Sequence, residues 1–271
     1  METIQLGSQR IPRIGMGTWQ LGRSAAEREN AAAALRTGIE LGLRLVDTAE
    51  MYENESFLGR VLRPVRSQVY LVSKVLPQHA DFRGTIAACE ASLRRLQTDY
   101  LDLYLLHWRG KHPLAETVRA LNALQAAGKI RAWGVSNLDT DALRELPDVD
   151  RCATNQVLYN PEYREAEFDL LPWMTQRRMP LMAYTPFSHG AALLRHPTVC
   201  RLAAERSATP AQVVLAWLLS RPMVIPIPKA GSAAHMRENA AAAELHLSAA
   251  EQAAMDTAFP PPQHKVPLHT W

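Results

Sequence analysis

Cysteine is scarce in this 271-residue chain: Cys89, Cys152 and Cys200 are the only three, odd in number and far apart. That spacing fits neither a disulfide framework nor a metal knuckle, and it predicts reduced, buried thiols and no metal site. Long hydrophobic runs are missing as well. No apolar stretch approaches the roughly 20 residues of a membrane span, and the first ten residues lack the apolar core of a signal peptide. A cytoplasmic protein that does not enter the membrane is expected. Neither sign of charge is in excess, with 30 Lys and Arg against 27 Asp and Glu. No broad nucleic-acid-binding face follows from a net +3, so any bound anion must be met by local groups. The P-loop, the zinc-protease histidine pair and the nucleophile elbow are all absent. Gly15-Met-Gly17 continues as Thr18-Trp19-Gln20, so the third glycine of a dinucleotide fingerprint is also missing.

What is present is an alternation. With 47% hydrophobic residues the chain can bury a sizeable core. Thr3–Leu6 and Arg10–Ile14 read as a small hairpin through Gly7-Ser8, followed by a glycine-punctuated strand, Ile14 to Trp19. A helix over Ala25–Leu41 starts at Ser24 with Glu27 three residues on, the spacing of a capping box. Strands are then predicted at Arg44–Asp47, Val69–Val75, Leu101–His107, Ile130–Val135, Ala153–Val157, Pro180–Tyr184 and Val224–Ile227. Between them fall helices at Glu55–Leu62, Arg83–Leu96, Leu114–Ala127, Thr140–Leu146, Glu167–Arg177, His196–Arg206 and Pro210–Ser220. Gly128 stops the third of these, and Thr209, Pro210 and Gln212 mark the start of the last. Helices Ala233–Ala242 and Ser248–Phe259 close the chain before Pro260-Pro-Pro262. About eight strands alternating with helices predict a single-domain (β/α)8 barrel over residues 1–271, with an N-terminal hairpin and two extra helices.

Three of the apolar runs end in a reactive group: Asp47, Lys74 and His107, with Tyr52 five residues after Asp47 (52 − 47). In parallel α/β folds the carboxyl ends of strands form one open face, so these four are expected to make one site. Singly, an aspartate there is most often a loop cap, a tyrosine a packing residue and a histidine a satisfied rim group. Lys74 differs, because a lysine ending the run Val69–Val72 is buried and needs an anion, which Asp47 can supply. A paired Lys74 beside Tyr52 is expected to lower the phenol pKa from about 10 toward neutrality, with His107 donating to the same oxygen. Such donors suit a carbonyl gaining negative charge. Hydride must come from elsewhere, since no side chain supplies it.

The residues Gly17-Thr18-Trp19, Asp47-Thr-Ala-Glu-Met-Tyr52, Val72-Ser-Lys74, Asp99 to Trp108, Gly134-Val-Ser-Asn137, Asn155-Gln156 and Ile227-Pro-Lys229 together resemble the aldo-keto reductases. The resemblance runs from the hairpin to the proline-rich tail and is nearest to the shorter bacterial members. It implies that Asp47, Tyr52, Lys74 and His107 are the catalytic tetrad, with the tyrosine as general acid. It also implies NADPH as electron source and an aldehyde, reactive ketone or dicarbonyl as substrate. By the same resemblance Ser136, Asn137 and Gln156 hold the nicotinamide carboxamide and Tyr184 stacks on its ring. Lys229, Ser232 and Asn239 then take the adenosine end and its 2′-phosphate, and Thr18, Trp19, Thr185, Phe187 and His235 join the cofactor-facing set. Trp19, Met51, Leu76 and Trp108 form the substrate pocket. His235 stands where many members carry an arginine, and Glu53 and Gln97 stand at turns where glycine is common. Trp133, Trp173 and Trp217 are expected in the core.

The expected partner is a small carbonyl compound, not nucleic acid or membrane, and the expected assembly is a monomer or weak oligomer. Three rivals follow from the same residues. A barrel aldolase would use Lys74 as a Schiff base, a phosphosugar enzyme would give the late anion site to substrate, and a redox-sensing module would bind NADPH with negligible turnover.

Overall fold

Runs such as Tyr70–Val75 and Leu101–Leu106, in which every residue is buried, suit strands of a parallel sheet covered on both faces. The computed structural model, which describes residues 1–189 and 192–270, has this architecture. After the antiparallel hairpin β1 (Thr3–Leu6) and β2 (Gln9–Pro12), eight parallel strands follow in sequence order around one sheet. They are β3 (Met16–Gly17), β4 (Leu45–Asp47), β5 (Tyr70–Val75), β6 (Leu101–Leu106), β7 (Ile130–Ser136), β8 (Cys152–Leu158), β9 (Leu181–Tyr184) and β10 (Val224–Pro226). The sheet closes on itself where Gly15 and Gly17 donate to the carbonyls of Pro226 and Pro228, at 2.9 and 3.0 Å. A parallel bridge from Gly17 to Lys229 continues the seam. A Cβ on Gly17 would lie 2.6 Å from the Ile227 carbonyl, so the seam needs glycine there.

The helices are α1 (Ala25–Glu40), α2 (Glu55–Leu62), α3 (Phe82–Leu96), α4 (Leu114–Ala126), α5 (Thr140–Arg144), α6 (Leu170–Gln176), α7 (Ala192–Arg195), α8 (Pro197–Glu205), α9 (Pro210–Leu219), α10 (Ala233–Ala241) and α11 (Ala249–Ala258). Capping boxes start α1 at Ser24 and α9 at Thr209, where the sequence placed them, and another starts α11 at Ser248. None of the helices among the described residues is long and apolar enough to cross a membrane.

Two packed regions result. Outward-facing strand residues such as Val46, Leu71, Val75, Tyr104, Leu106 and Trp133 meet the helices in a large core that also holds Trp173 and Trp217. Inside the barrel, Leu45, Tyr70, Val72, Leu103, Leu105, Met182, Ile225 and Ile227 pack on Ile4, Leu6 and Ile11 of the hairpin. The hairpin thus plugs the amino-terminal end of the barrel, tied by a Tyr70 hydroxyl bond to the Leu6 carbonyl of 3.2 Å. Gly7 makes its turn at φ +57, and a Cβ there would sit 2.8 Å from that of Ala132.

Several boundaries differ from expectation. The predicted strand Ile14–Trp19 shrinks to Met16–Gly17, because Thr18 turns its amide and hydroxyl back to the Asp47 carbonyl. The stretch predicted as one helix, Glu167–Arg177, divides into a 3-10 turn, Glu165–Glu167, and α6. Arg164 pins that turn by ion pairs to Glu167 and Asp256. Helix α7 was not anticipated from the sequence. Glu53 and Gln97 both take left-handed backbone, at φ 57 and 54, so each fills the conformation a glycine would. Cys89 and Cys152 are buried, with burial pushing both thiols up to about 12, but Cys200 is exposed, against expectation.

Candidate active site

Side chains along a strand alternate between its two faces, so polar groups two residues beyond an inward-facing leucine or valine also face inward. Leu45 is followed in this way by Asp47, Val72 by Lys74 and Leu105 by His107. The three polar groups therefore replace the apolar filling of the barrel at its carboxyl end. Asp47 is 2% exposed and Lys74 fully buried. Lys74 Nζ donates to Asp47 Oδ2 at 2.7 Å, to the Thr48 carbonyl at 2.8 Å and to the Tyr52 hydroxyl at 3.3 Å. The second oxygen of Asp47 accepts from the Gln156 amide at 2.8 Å, so the buried carboxylate has partners on both oxygens. His107 stands edge-on to Tyr52, with ring centroids 5.9 Å apart, and packs against Trp108 on its other side.

Tyr52 is not on a strand. It ends a 3-10 turn, Glu50–Tyr52, that bridges β4 and α2. The turn is tied to β5 at both ends. Ahead of Tyr52, the Glu50 carboxylate accepts from the Leu76 amide at 2.6 Å and from His79 Nδ1 at 3.1 Å. Behind it, the buried Glu55 accepts from the Ser73 hydroxyl at 2.6 Å and from Arg95 at 2.7 Å. Asn54 accepts from Thr48 and donates to the Thr18 carbonyl, which adds a link to the β3 loop. Sequence reasoning missed these supports. Their only signal was a cluster of three acids around Tyr52, namely Glu50, Glu53 and Glu55.

The electrostatics differ from expectation in one respect. Burial raises the Tyr52 pKa, and although Lys74 pulls it down, the net displacement is upward, not toward neutrality. Tyr52 accordingly stays protonated across the neutral range, the form that can give a proton. Burial also works to lower the Lys74 pKa, but the adjacent Asp47 and Tyr52 outweigh it and hold the lysine charged. A Schiff-base lysine needs a lowered pKa, so the aldolase alternative is disfavoured. Burial, and secondarily the Lys74 charge, depress His107 to about 2, so its imidazole is neutral.

Asp47, Tyr52 and His107 open into a cavity of about 430 Å³, and the fully buried Lys74 lies behind them. Trp19, Met51 and Trp108 line it, the first two 40% and 42% exposed. Leu76, expected among them, does not. Its side chain is half-buried at the end of β5, where Glu50 takes its backbone amide. Thr18, Ser136, Asn137, Gln156, Tyr184, Thr185, Phe187 and Lys229 all border the cavity, as do Gln20, Pro186, Ser188 and His189, which were not singled out. Ser232, His235 and Asn239 lie apart from it, at the start of and along α10.

The residues present suit a dinucleotide. Ser136, Asn137 and Tyr184 form a polar ledge, where the Tyr184 hydroxyl donates to Asn137 Oδ1 at 2.9 Å and Asn137 donates to the His107 carbonyl at 3.1 Å. Asn137 and Thr185 hold positive φ of 60 and 52 at this ledge, backbone strain of the kind that gathers at ligand sites. Lys229, at the far rim, is exposed and makes no ion pair among the described residues. Asn239 is 4% exposed, and its buried Nδ2 donor has no partner, which fits a ligand acceptor beside α10.

A closed eight-stranded barrel with a phenol, a charged lysine, a neutral imidazole and an open polar rim defines an oxidoreductase acting on carbonyl groups. The aldo/keto reductase family model matches residues 13–259, and this chain belongs to that family. It is 50% identical to a methylglyoxal reductase, YeaE, from Escherichia coli K12, over 97% of this chain and 96% of the relative. A glyoxal reductase from Bacillus subtilis is 34% identical, covering 91% of this chain and 89% of its own. Among solved structures, an aldo-keto reductase from Klebsiella pneumoniae in complex with NADPH superposes with a TM-score of 0.96 at 49% identity, covering 100% and 99% of the two chains.

Proposed function

We propose that this chain, acting as one barrel domain, reduces small 2-oxoaldehydes and related aldehydes to alcohols with NADPH. The observation that carries the reading is the protonated Tyr52 phenol held 3.3 Å from a buried, charged Lys74 at the mouth of an open cavity. The names of the two reductase relatives support the substrate class. NADPH supplies the hydride when bound. Tyr52 gives its phenolic proton to the carbonyl oxygen as negative charge gathers there. Lys74, kept cationic by Asp47, stabilises the phenolate left behind. The neutral His107 donates one ring N–H to the same oxygen and orients it. Trp19, Met51 and Trp108 give the substrate an apolar wall.

In this reading Ser136, Asn137 and Gln156 hold the nicotinamide carboxamide, Tyr184 stacks on the ring, and Thr18, Thr185 and Phe187 line its path. Lys229, Ser232, His235 and Asn239 take the adenosine end and its 2′-phosphate. A charge-assisted contact is worth about 1.5–3 kcal/mol, so Lys229→Met is expected to weaken NADPH binding roughly 10- to 100-fold and leave NADH little changed, as measured by fluorescence titration. Equal losses for both cofactors would remove Lys229 from the phosphate site.

The reading also makes the protein a cytoplasmic monomer or weak oligomer. In support, exposed large apolar residues are few and scattered, and two of them, Trp19 and Met51, belong to the cavity. An NADPH-consumption screen over methylglyoxal, glyoxal, simple aldehydes, sugars and steroid ketones tests the whole. Turnover of the small dicarbonyls with modest affinity is expected, because the cavity is open to solvent and offers few contacts to bulky groups. Strong preference for a steroid would overturn it.

A further inference from the structure

Beside the catalytic cavity lies a second one, of about 550 Å³, and the two share a wall made by Met51 and Tyr52. Arg23, Arg28 and Arg60 line it. All three are exposed; among the described residues Arg23 and Arg60 have no hydrogen-bond or ion-pair partner, and Arg28 uses only its Nε, toward the Gly22 carbonyl at 3.2 Å. Elsewhere in the chain guanidinium groups are commonly matched to carboxylates, as Arg66 is to Asp102, Arg95 to Glu55 and Arg164 to Glu167. A single carboxylate, Glu53, borders this cavity, and it pairs with none of the three arginines.

The amino-terminal turn of α2 borders the same space through Asn54, Ser56 and Phe57. The Asn54 side chain does not cap α2, since it is engaged with Thr48 and Thr18 instead. The positive end of the helix dipole, though it carries the Glu55 carboxylate in its first turn, adds to three guanidinium groups that make no ion pair among the described residues. Three like charges facing one carboxylate, Glu53, leave an excess of positive charge, and a bound anion relieves it while accepting bidentate hydrogen bonds.

Resting on the reductase reading, we propose that this cavity is an anion subsite: it takes the carboxylate or phosphate at the far end of a carbonyl substrate whose aldehyde sits at Tyr52. The chain linking the two groups crosses Met51, which with Tyr52 is common to both cavities and is 42% exposed. Substrates of this class are ω-oxo acids and aldehydes bearing a phosphoester. Short dicarbonyls without charge use the catalytic cavity alone. The subsite thus divides substrates by what lies several bonds from the reacting carbon.

The test compares kcat/KM for ω-oxo acids of three to six carbons with that for uncharged n-aldehydes of the same length, and glyceraldehyde 3-phosphate with glyceraldehyde. In the native enzyme the charged member is expected to be favoured at least about 10-fold once the chain is long enough to cross Met51. Raising the salt concentration should shrink that preference. A preference among the acids but not the phosphate pair, or the reverse, identifies which anion the cavity fits. Replacing the two arginines that have no partner among the described residues, as Arg23→Gln with Arg60→Gln, should abolish the preference and leave methylglyoxal reduction unchanged. Equal kcat/KM for charged and neutral partners at every length would overturn the proposal, as would a preference that survives the double substitution. If no carbonyl is turned over, the reductase reading fails separately. Arginine-15N NMR with succinate then still decides the subsite: shifts of the Arg23 and Arg60 Nε signals support it, and their absence sinks it.

Discussion

Tyr52→Phe is expected to lower carbonyl reduction by at least about 10²-fold while NADPH binds nearly as before. Hydride delivery turns a carbonyl into an alkoxide, and a placed proton donor contributes about 10²–10⁴-fold to such a step. Tyr52 is the only phenol bonded to Lys74, and the imidazole beside it is too weak a base to hold a proton to give at neutral pH. The change removes one oxygen and leaves the ring against His107, so the fold is expected to survive and stopped-flow measurement of the hydride step reads chemistry alone. The pH profile supplies a second measure. His107 is depressed to about 2 and Tyr52 is raised above its ordinary value of 10.0, so neither titrates in the neutral range. A plot of kcat/KM for reduction should be flat from about pH 6 to 9. A limb near the ordinary histidine value of about 6.5 would show that His107 carries charge, and near-normal turnover in Tyr52→Phe would remove the proposed acid.

Lys74→Met is expected to damage both stability and rate. Lys74 is fully buried with its ammonium 2.7 Å from Asp47, and breaking a buried pair from one side costs about 3–5 kcal/mol because the remaining charge is stranded. The double substitution Lys74→Met with Asp47→Asn removes both charges, so it should recover much of the thermal stability, yet reduction should stay slow because nothing stabilises the departing Tyr52 proton's anion. Recovery of activity along with stability would mean the pair is only structural. The pH dependence of the native pair follows from its sign. The folded-state pKa of Lys74 is raised, so its contribution is fully present below the unfolded lysine value of about 10.4 and is lost only as pH rises through the folded value. Calorimetry should therefore find no loss from this group between pH 6 and 9.

The elements carrying Asp47, Lys74 and His107 were legible because a buried strand that ends in a charge is conspicuous, and period-2 alternation then dictates that all three face inward. Capping boxes at Ser24 and Thr209 were legible for a similar reason, being short-range and chemically specific. Long-range effects were not. The upward displacement of Tyr52 depends on how much protein surrounds it, which no spacing reveals. The supports from Glu50 and Glu55 to β5 join residues 26 and 18 positions apart, and only the folded barrel makes them neighbours. The second cavity escaped notice because Arg23 and Arg60 are ordinary surface residues until the fold sets them on either side of one hollow.

The barrel seam has a bearing on how the molecule is made. Gly17 bonds to the strand that ends near Lys229, a separation of 212 residues (229 − 17), so ring closure is among the most non-local events in the chain. That pairing is possible only once residue 229 has been synthesised, and non-local pairing is slow to form. Until then Thr18 and Trp19 at the front of the chain have no opposite lip, and the nascent barrel is an open sheet with exposed edges. A site that needs both lips therefore forms only after that closure.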